Sequence, residues 1–369
     1  MELSEEELER YSRHFSVKDF GLEGQKQLKQ ASVLCVGAGG IGSPVLLYLA
    51  AAGVGHIGII DFDQVELSNL QRQVLFNADD LGKNKAVIAK EKLLKLNSNL
   101  VCKTYSEGLT LENAKSIISN YDLVLDGSDN YPTRYLVNDV CCALNKPFIS
   151  ASIFQMSGQW GLFNDQGSAC FRCLFPAPPE ENIIPNCAEA GVLGILPGLV
   201  GNFAALDVIK FFVMKEYIQL NTLNTFDAKN LKLQSFVFEK SKTCSACVNK
   251  QIILENNKKE DPAMFENISV NELKAMMDKK EDFLLLDVRQ DWERELAVIN
   301  DSKHVLLDKI SETNLEIDFN KKIVLYCKVG GRSAAAAEIL IKRGWKHCYN
   351  LQGGIIAWAR EIDPTMKTY

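Results

Sequence analysis

ASVLCVGAGGIGSPVLLYLAAAGV, residues 31–54, is the stretch on which the reading of the fold turns. A short apolar run ends in a glycine turn containing Gly37, Gly39 and Gly42, and a small-residue segment with helical spacing follows. An apolar run of that length bounded by glycine reads as a buried strand, and the glycines permit a tight turn into a helix. HIGIIDFD (56–63) is a second buried strand, ending in acids. Downstream, KAVIAKEKLLKLN (85–97) and NAKSIISNY (113–121) have helical patterns, while VCKTYSE (101–107) and DLVLDGSDN (122–130) read as strands. The repeated β–α order predicts an α/β fold with a parallel, doubly wound, Rossmann-like sheet.

Upstream, residues 4–30 read as helical, with acids early and Leu and Phe three or four apart. KPFISASIFQMSGQWGLF (146–163) is one more strand-like run, leading into ACFRCLF. PAPPEENIIPN (176–186) reads as an exposed loop, and NTFDA (224–228) and LQSFVFE (233–239) as short strands before CSAC. ENNKKEDPA (255–263) is polar, charged and ends at proline, the composition of a linker. Beyond it, ISVNELKAMM, DFLLLDVR, KIVLYCKVGGRSAAAAEILIKRG and LQGGIIAW make a second, small α/β unit. The predicted domains are 1–250 and 267–369, joined by a linker at 251–266, which suits a chain of 369 residues.

Composition narrows the function classes. A net charge of −6, with no basic stripe, argues against nucleic acid as the main partner. The polar, acidic start MELSEEELERYSRHF lacks the order of a secretory signal. The apolar stretch Ala190–Val213 contains Pro197, four glycines, Asp207 and Lys210, and reads as a buried helix after a Gly/Pro loop, not a membrane span. A cytoplasmic location is the expectation. Eleven cysteines in a reduced compartment are then ligands, nucleophiles or core residues before they are disulfides.

Gly37, Gly39 and Gly42 spell G-x-G-x-x-G, and Asp61 ends the next strand about 20 residues on, where an acid can bond a ribose hydroxyl. Alone, the motif fits an NAD-dependent oxidoreductase equally well. The neighbours favour a triphosphate. Asn69, Gln71 and Arg72 lie just past the second strand and Lys85 a short way on. A guanidinium fork and a mobile ammonium suit phosphate oxygens. DGSDN sets Asp126, Asp129 and Asn130 at the carboxyl end of a strand, where a carboxylate beside phosphates can ligate Mg²⁺.

Along residues 1–250, RYSRH, VGAGGIGSP, DFDQVELSNLQRQ, GKNKA, DGSDN, CFRC, NCAEAGV and CSAC together resemble the MoeB/ThiF family, relatives of ubiquitin-activating enzymes. The resemblance implies ATP-dependent adenylation of the C-terminal glycine of a small ubiquitin-like sulfur-carrier protein. It implies a nucleotide site from the glycine loop including Gly40, Asp61 and Asp63, the run Ser68, Asn69, Leu70, Gln71 and Arg72, and Lys85 and Asn130, with Asp129 on Mg²⁺. It further implies that Arg13 reaches the phosphates of the other protomer's site, hence a homodimer. Bottom-up, Arg13 is only a charge on an amphipathic helix, and His14 packs or faces solvent.

Cys170-x-x-Cys173 and Cys244-x-x-Cys247 are two equal pairs, and two such pairs complete a tetrahedral Zn(Cys)₄ site. With all four positions filled the metal is structural, and it staples the end of the first domain to its middle. A redox C-x-x-C is the alternative; the family resemblance favours zinc. Cys187 follows the proline-rich loop, and relatives that carry a sulfurtransferase domain have a cysteine there, implicated in attack on the acyl-adenylate or in a covalent sulfur link. Cys35 reads as core, and Cys102, Cys141, Cys142 and Cys348 fall in no motif.

In KIVLYCKVGGRSAAAAEIL a buried strand ends at Cys327, and Gly330, Gly331 and Arg332 lead into a helix. Loop amides, the helix N-terminus and Arg332 favour a thiolate or persulfide at that position. A cysteine phosphatase loop has five residues between Cys and Arg; the four here make a smaller cradle, suited to one sulfur atom. Residues 267–362 resemble a rhodanese domain through LLLDVRQDWE, YCKVGGRS and LQGGIIAW. They depart from it after Glu293, where ERELAVINDSKHVLLDKI replaces the usual Gly-His-Ile segment before a proline. Asp287 and Arg289 are expected to pair beneath the loop. The whole chain then reads as a nucleotidyltransferase with sulfurtransferase activity. Its expected partners are a carrier ending in Gly-Gly, of the molybdopterin (MoaD-like) or thiamine (ThiS-like) type, and a sulfur donor such as a cysteine desulfurase.

Overall fold

The computed structural model describes residues 2–179, 191–253 and 265–369. They divide into two compact units, one formed by residues up to 178 with 191–253, the other by 265–369. The predicted linker is engaged at both ends. Ile253 N–H donates to Asp139 Oδ2 (2.9 Å) in the first unit, and Glu266 already pairs in the second unit's sheet.

The first unit is built on an eight-stranded sheet of β1 (Ser32–Val36), β2 (His56–Ile60), β3 (Val101–Tyr105), β4 (Leu123–Asp126), β5 (Phe148–Phe154), β6 (Ser157–Phe163), β7 (Thr222–Asp227) and β8 (Lys232–Val237), in the order β3-β2-β1-β4-β5-β6-β7-β8. The first five run parallel, as predicted, and the order reverses between β1 and β4. The last three are antiparallel. The single strand-like run at 146–163 is therefore a hairpin. Phe154 pairs with Ser157 across two residues, and Gln155 takes a left-handed φ of 51°. Apolar content carries no mark of this turn, because both arms are strand-like and the turn lacks glycine.

Each glycine of the loop after β1 answers a different demand. Gly37 has a φ of 92°, closed to most side chains. A Cβ on Gly42 would lie 2.0 Å from the Gly37 carbonyl oxygen, so only glycine opens the helix Gly42–Ala52 there. The helix Ile195–Val213 is long and apolar enough to cross a membrane by length and composition. It instead packs on Gly42–Ala52 and on β5 and β6, burying Leu196, Val200, Ala204 and Val208. Pro197 lies in its first turn, where a missing N–H costs nothing.

The second unit is a wholly parallel five-stranded sheet of β9 (Glu266–Ile268), β10 (Phe283–Asp287), β11 (Lys303–His304), β12 (Lys322–Tyr326) and β13 (Cys348–Leu351), in the order β11-β10-β12-β13-β9. Ile323 and Leu325 face one buried cluster, Val324 and Tyr326 the other. Apolar layers on both faces explain why the central strand reads as a continuous hydrophobic run.

Candidate functional site

Strand register assembles the first site. Val36 pairs with Ile60 on one side and Asp126 on the other, so the next residues, Gly37, Asp61 and Gly127, emerge together where the strand order reverses. Asp61 Oδ2 accepts the Ala38 N–H (2.8 Å) and Oδ1 the Asp63 N–H (2.9 Å). Burial pushes the Asp61 carboxyl above its ordinary value, against the pull of those amides and Lys85. Lys85, buried at the start of the helix Lys85–Leu96, reaches Asp63 Oδ2 at 2.9 Å. Asn84 Nδ2 donates to the Asp61 carbonyl (3.1 Å), tying strand end to helix start.

Gly39 is the informative glycine. Among the described residues nothing crowds it; an added Cβ would meet only Gln73 Nε2, at an ordinary 3.6 Å. With no packing demand there, its bare backbone leaves open room in the turn, which is what close approach of phosphate to loop amides requires. Gly40 is tighter, with Pro197 3.1 Å and Arg72 Cγ 3.5 Å from an added Cβ. Arg72 Nη1 donates to the Ser68 carbonyl (2.9 Å), and buried Asn69 accepts the Glu66 N–H (3.3 Å). Leu70 is half-buried and Gln71 exposed. Gln73 is buried beside the loop, with its Oε1 unpartnered among the described residues.

The DGSDN segment separates into two kinds of residue. Asp126 is no ligand candidate. It is fully buried, holding Arg134 Nε (3.2 Å), the Ser128 N–H (3.1 Å) and Ser150 Oγ (3.0 Å). Asp129 is exposed, and Asn130 caps the helix Tyr131–Leu144 by accepting the Thr133 N–H (2.9 Å). Arg13 is exposed on the short helix Ser12–Phe15 and joins none of these contacts among the described residues. His14 packs between Tyr11 and Phe20 with Nδ1 2.8 Å from Gln25 Oε1. Cys187 lies outside the described residues.

The four paired cysteines converge. All four Sγ atoms of Cys170, Cys173, Cys244 and Cys247 lie within 4.8 Å of one another. Individual separations are 3.9 Å for Cys170–Cys173 and 3.5 Å for Cys170–Cys244 and Cys173–Cys247. Thiolates ~2.3 Å from a tetrahedral centre stand roughly 3.8 Å apart, so the set can hold a four-coordinate metal ion. Arg172, between the first two cysteines, makes a buried two-point pair with Asp139 (2.7 and 3.0 Å). Sequence reasoning missed Cys142, a fifth thiol, fully buried and packed against this cluster; it lies in a helix with no spacing signal.

The second site follows β12. Tyr326 pairs with Asp287, and Cys327 is the next residue, 1% exposed. Its Sγ receives the Gly330 N–H (3.1 Å) and Ser333 Oγ–H (3.4 Å) as the helix Gly331–Lys342 begins. The LQGG segment packs on this loop: Ile355 N–H donates to the Cys327 carbonyl (2.9 Å) and Ile356 N–H to that of Lys328 (3.2 Å). Arg289 and Asp287, both fully buried, pair at 2.9 and 2.7 Å. Arg332 closes the loop already partnered. Its two Nη atoms grip the Glu293 carboxylate at 2.6 and 2.8 Å. Burial pushes the Glu293 carboxyl up, but bonds from Arg332, the Gln290 N–H and Tyr369 outweigh it and hold it at about 2. Cys35 is a core thiol in β1, pushed up by burial.

Comparison with known proteins agrees with both units. The ThiF family profile matches residues 11–246, and the rhodanese-like domain profile residues 269–361. "Adenylyltransferase and sulfurtransferase MOCS3" of Xenopus laevis is 37% identical, covering all of this chain and 89% of that protein. "Probable adenylyltransferase/sulfurtransferase MoeZ" of Mycobacterium tuberculosis is 37% identical over all of this chain and 96% of its own length. Among solved structures, E. coli MccB with MccA-N7isoASN superposes with a TM-score of 0.57 at 30% identity, covering 66% of this chain and 75% of that one. E. coli MccB with ATP gives a TM-score of 0.53 at 29% identity, covering 64% and 73%. The chain belongs to the ThiF family, as an adenylyltransferase joined to a rhodanese-like sulfurtransferase domain.

Proposed function

We propose that the ThiF unit adenylates the C-terminal glycine of a ubiquitin-like sulfur carrier of the MoaD type, and that Cys327 delivers the sulfur that turns this glycine into a thiocarboxylate. The single observation that carries the nucleotide half is the open backbone at Gly39 beside the Asp61 carboxylate. In this reading the loop Gly37–Gly42 faces the phosphates and Asp61 takes the ribose hydroxyls. Arg72 and Lys85, with Asn69 beside them, offset phosphate charge, as does Arg13 from the other protomer of a homodimer. Asp63, Ser68, Leu70, Gln71 and Asn130 complete the wall. Asp129 is the residue for Mg²⁺, which would supply charge neutralisation at the phosphates. Cys170, Cys173, Cys244 and Cys247 hold Zn²⁺ as a structural ion.

The carrier carboxylate is already ionised and attacks the α-phosphorus, with pyrophosphate leaving, so positive groups matter more than a general base. The terminal sulfur of a Cys327 persulfide then attacks the acyl carbon and AMP leaves. A second thiol opens the resulting acyl disulfide and frees the thiocarboxylate; Cys187 is our candidate, and an external thiol reduces the protein disulfide left behind. The sulfur reaches Cys327 from a donor such as a cysteine desulfurase. Residues 251–266 act as the tether between units, and we place the enzyme in the cytoplasm.

The test is ATP–pyrophosphate exchange by metal-loaded protein with MoaD-like and ThiS-like carriers in parallel. Exchange that requires the Gly-Gly terminus and favours the MoaD-like carrier supports the proposal. Exchange with neither carrier contradicts it, and preference for the ThiS-like carrier replaces its pathway.

A further inference from the structure

The sulfur-bearing loop is held at both ends by one side chain outside the rhodanese match, which stops at residue 361. Beyond the helix Gly354–Glu361 the chain turns, with Met366 N–H donating to the Asp363 carbonyl (3.0 Å). Ile362 and Met366 pack on the second unit's core, and Tyr369 arrives at the loop. Its hydroxyl donates to Glu293 Oε1 (2.8 Å) and accepts from Arg289 Nη1 (2.8 Å). Its ring lies 4.8 Å from Lys328 Nζ and meets Trp292 edge-on at 5.3 Å.

These contacts converge on the loop from both sides. Lys328 directly follows Cys327, and Arg332 closes the loop. Arg332 has no other carboxylate partner than Glu293 among the described residues. The Glu293 oxygens accept Arg332 twice, the Gln290 N–H (2.9 Å) and the Tyr369 hydroxyl, so four donors fix this carboxylate. The hydroxyl also joins the Glu293–Arg332 pair to the buried Arg289–Asp287 pair beneath the loop. Between the two anchored ends lies Gly330, at a φ of 112°, whose N–H points at the Cys327 sulfur. A backbone in that conformation keeps its aim only if its flanks are fixed.

We propose that Tyr369 is a positioning residue for sulfur transfer: its ring at Lys328 and its hydroxyl at Glu293 clamp the two ends of the loop 327–332, keeping the Gly330 amide on the sulfur. The inference rests on Cys327 as the sulfur carrier. It assigns Tyr369 no contact with the reacting atoms. The clamp acts on transfer once sulfur is bound, and it leaves adenylation in the other unit alone.

The test uses the full chain as wild type, Tyr369→Phe and Tyr369→Leu, with thiosulfate as sulfur donor and cyanide as acceptor. In the first step the thiosulfate S–S bond breaks, a Cys327 S–S bond forms and sulfite leaves with the electron pair; cyanide then takes the outer sulfur as thiocyanate. Losing both contacts in Tyr369→Leu is expected to lower kcat roughly 10-fold with KM for thiosulfate unchanged, the signature of a group that matters in the transition state only. Hydrogen exchange of the amides at 327–332 should rise by a similar factor of about 10, while strand 322–326 and helix 333–342 stay protected. Tyr369→Phe keeps the ring and should fall between the two. Unchanged kcat and loop exchange in Tyr369→Leu overturns the proposal, as does exchange quickened evenly across the unit, which would make Tyr369 a general prop. If wild type forms no Cys327 persulfide, the sulfur-carrier reading fails separately, and the exchange measurement still decides whether the clamp exists.

Discussion

Two glycine turns, VGAGGIG after β1 and CKVGGRS after β12, leave the carboxyl ends of central parallel strands and open helices, yet they are built in opposite ways. In the first, among the described residues, Gly39 is uncrowded and Asp129 stands exposed, while Lys85 is held by Asp63 alone. In the second, Cys327 is buried, the loop amide is spent on its sulfur, and both Nη atoms of Arg332 are taken by Glu293. A triphosphate brings its own charge and volume, so a site for it must leave open backbone and room. One sulfur atom needs a cradle closed around it, with neighbouring charges balanced in advance. Size and charge of the reactant, more than loop sequence, account for the contrast.

The contrast can be broken most severely at the sulfur itself. Cys327→Ser should abolish thiocarboxylate formation while ATP–pyrophosphate exchange continues; surviving sulfur transfer would remove this loop from the account. Next in size, Arg72→Ala or Lys85→Ala should lower exchange on the order of 100-fold, the usual cost of one charged donor at a developing anion. Neither should touch thiosulfate-to-cyanide transfer, and kinetics of both reactions on one preparation would show whether the two sites are separable. Gly39→Ala sharpens the point about open room: its Cβ would meet only Gln73 Nε2, at 3.6 Å, among the described residues, so the protein should keep its melting temperature while exchange falls ~10-fold or more.

Cys244→Ser leaves three thiolates. Metal content should fall and the first unit's melting temperature should drop, with the rhodanese-like unit's transition unmoved in calorimetry. The smallest effect concerns pH. The Glu293 carboxyl sits at about 2 in the fold against an ordinary 4.5. A lowered value means that its contribution is complete above about 4.5 and is lost as pH falls towards about 2. The difference in stability between wild type and Glu293→Gln should therefore shrink across that window in denaturant titrations, and a constant difference would contradict the Arg332–Glu293 pairing.

What was legible in the sequence was local. Gly37 and Gly42, the two cysteine pairs, and the four residues between Cys327 and Arg332 each carry their meaning within a few positions. The hairpin at Gln155 was not legible, because neither arm differs from one long strand. Asp126 looked like its neighbour Asp129 until Arg134 and Ser150 were seen to occupy it. Glu293 meets Arg332 from 39 residues away, and Tyr369 meets Glu293 from 76. No spacing rule announces contacts that only the folded sheet creates.

The most direct measurement is the mass of a purified MoaD-like carrier after incubation with this protein, ATP and a sulfur donor. The account predicts replacement of one terminal oxygen by sulfur, dependent on ATP and on Cys327. A carrier that is adenylated but gains no sulfur, or whose mass stays unchanged with ATP and donor both present, would contradict it.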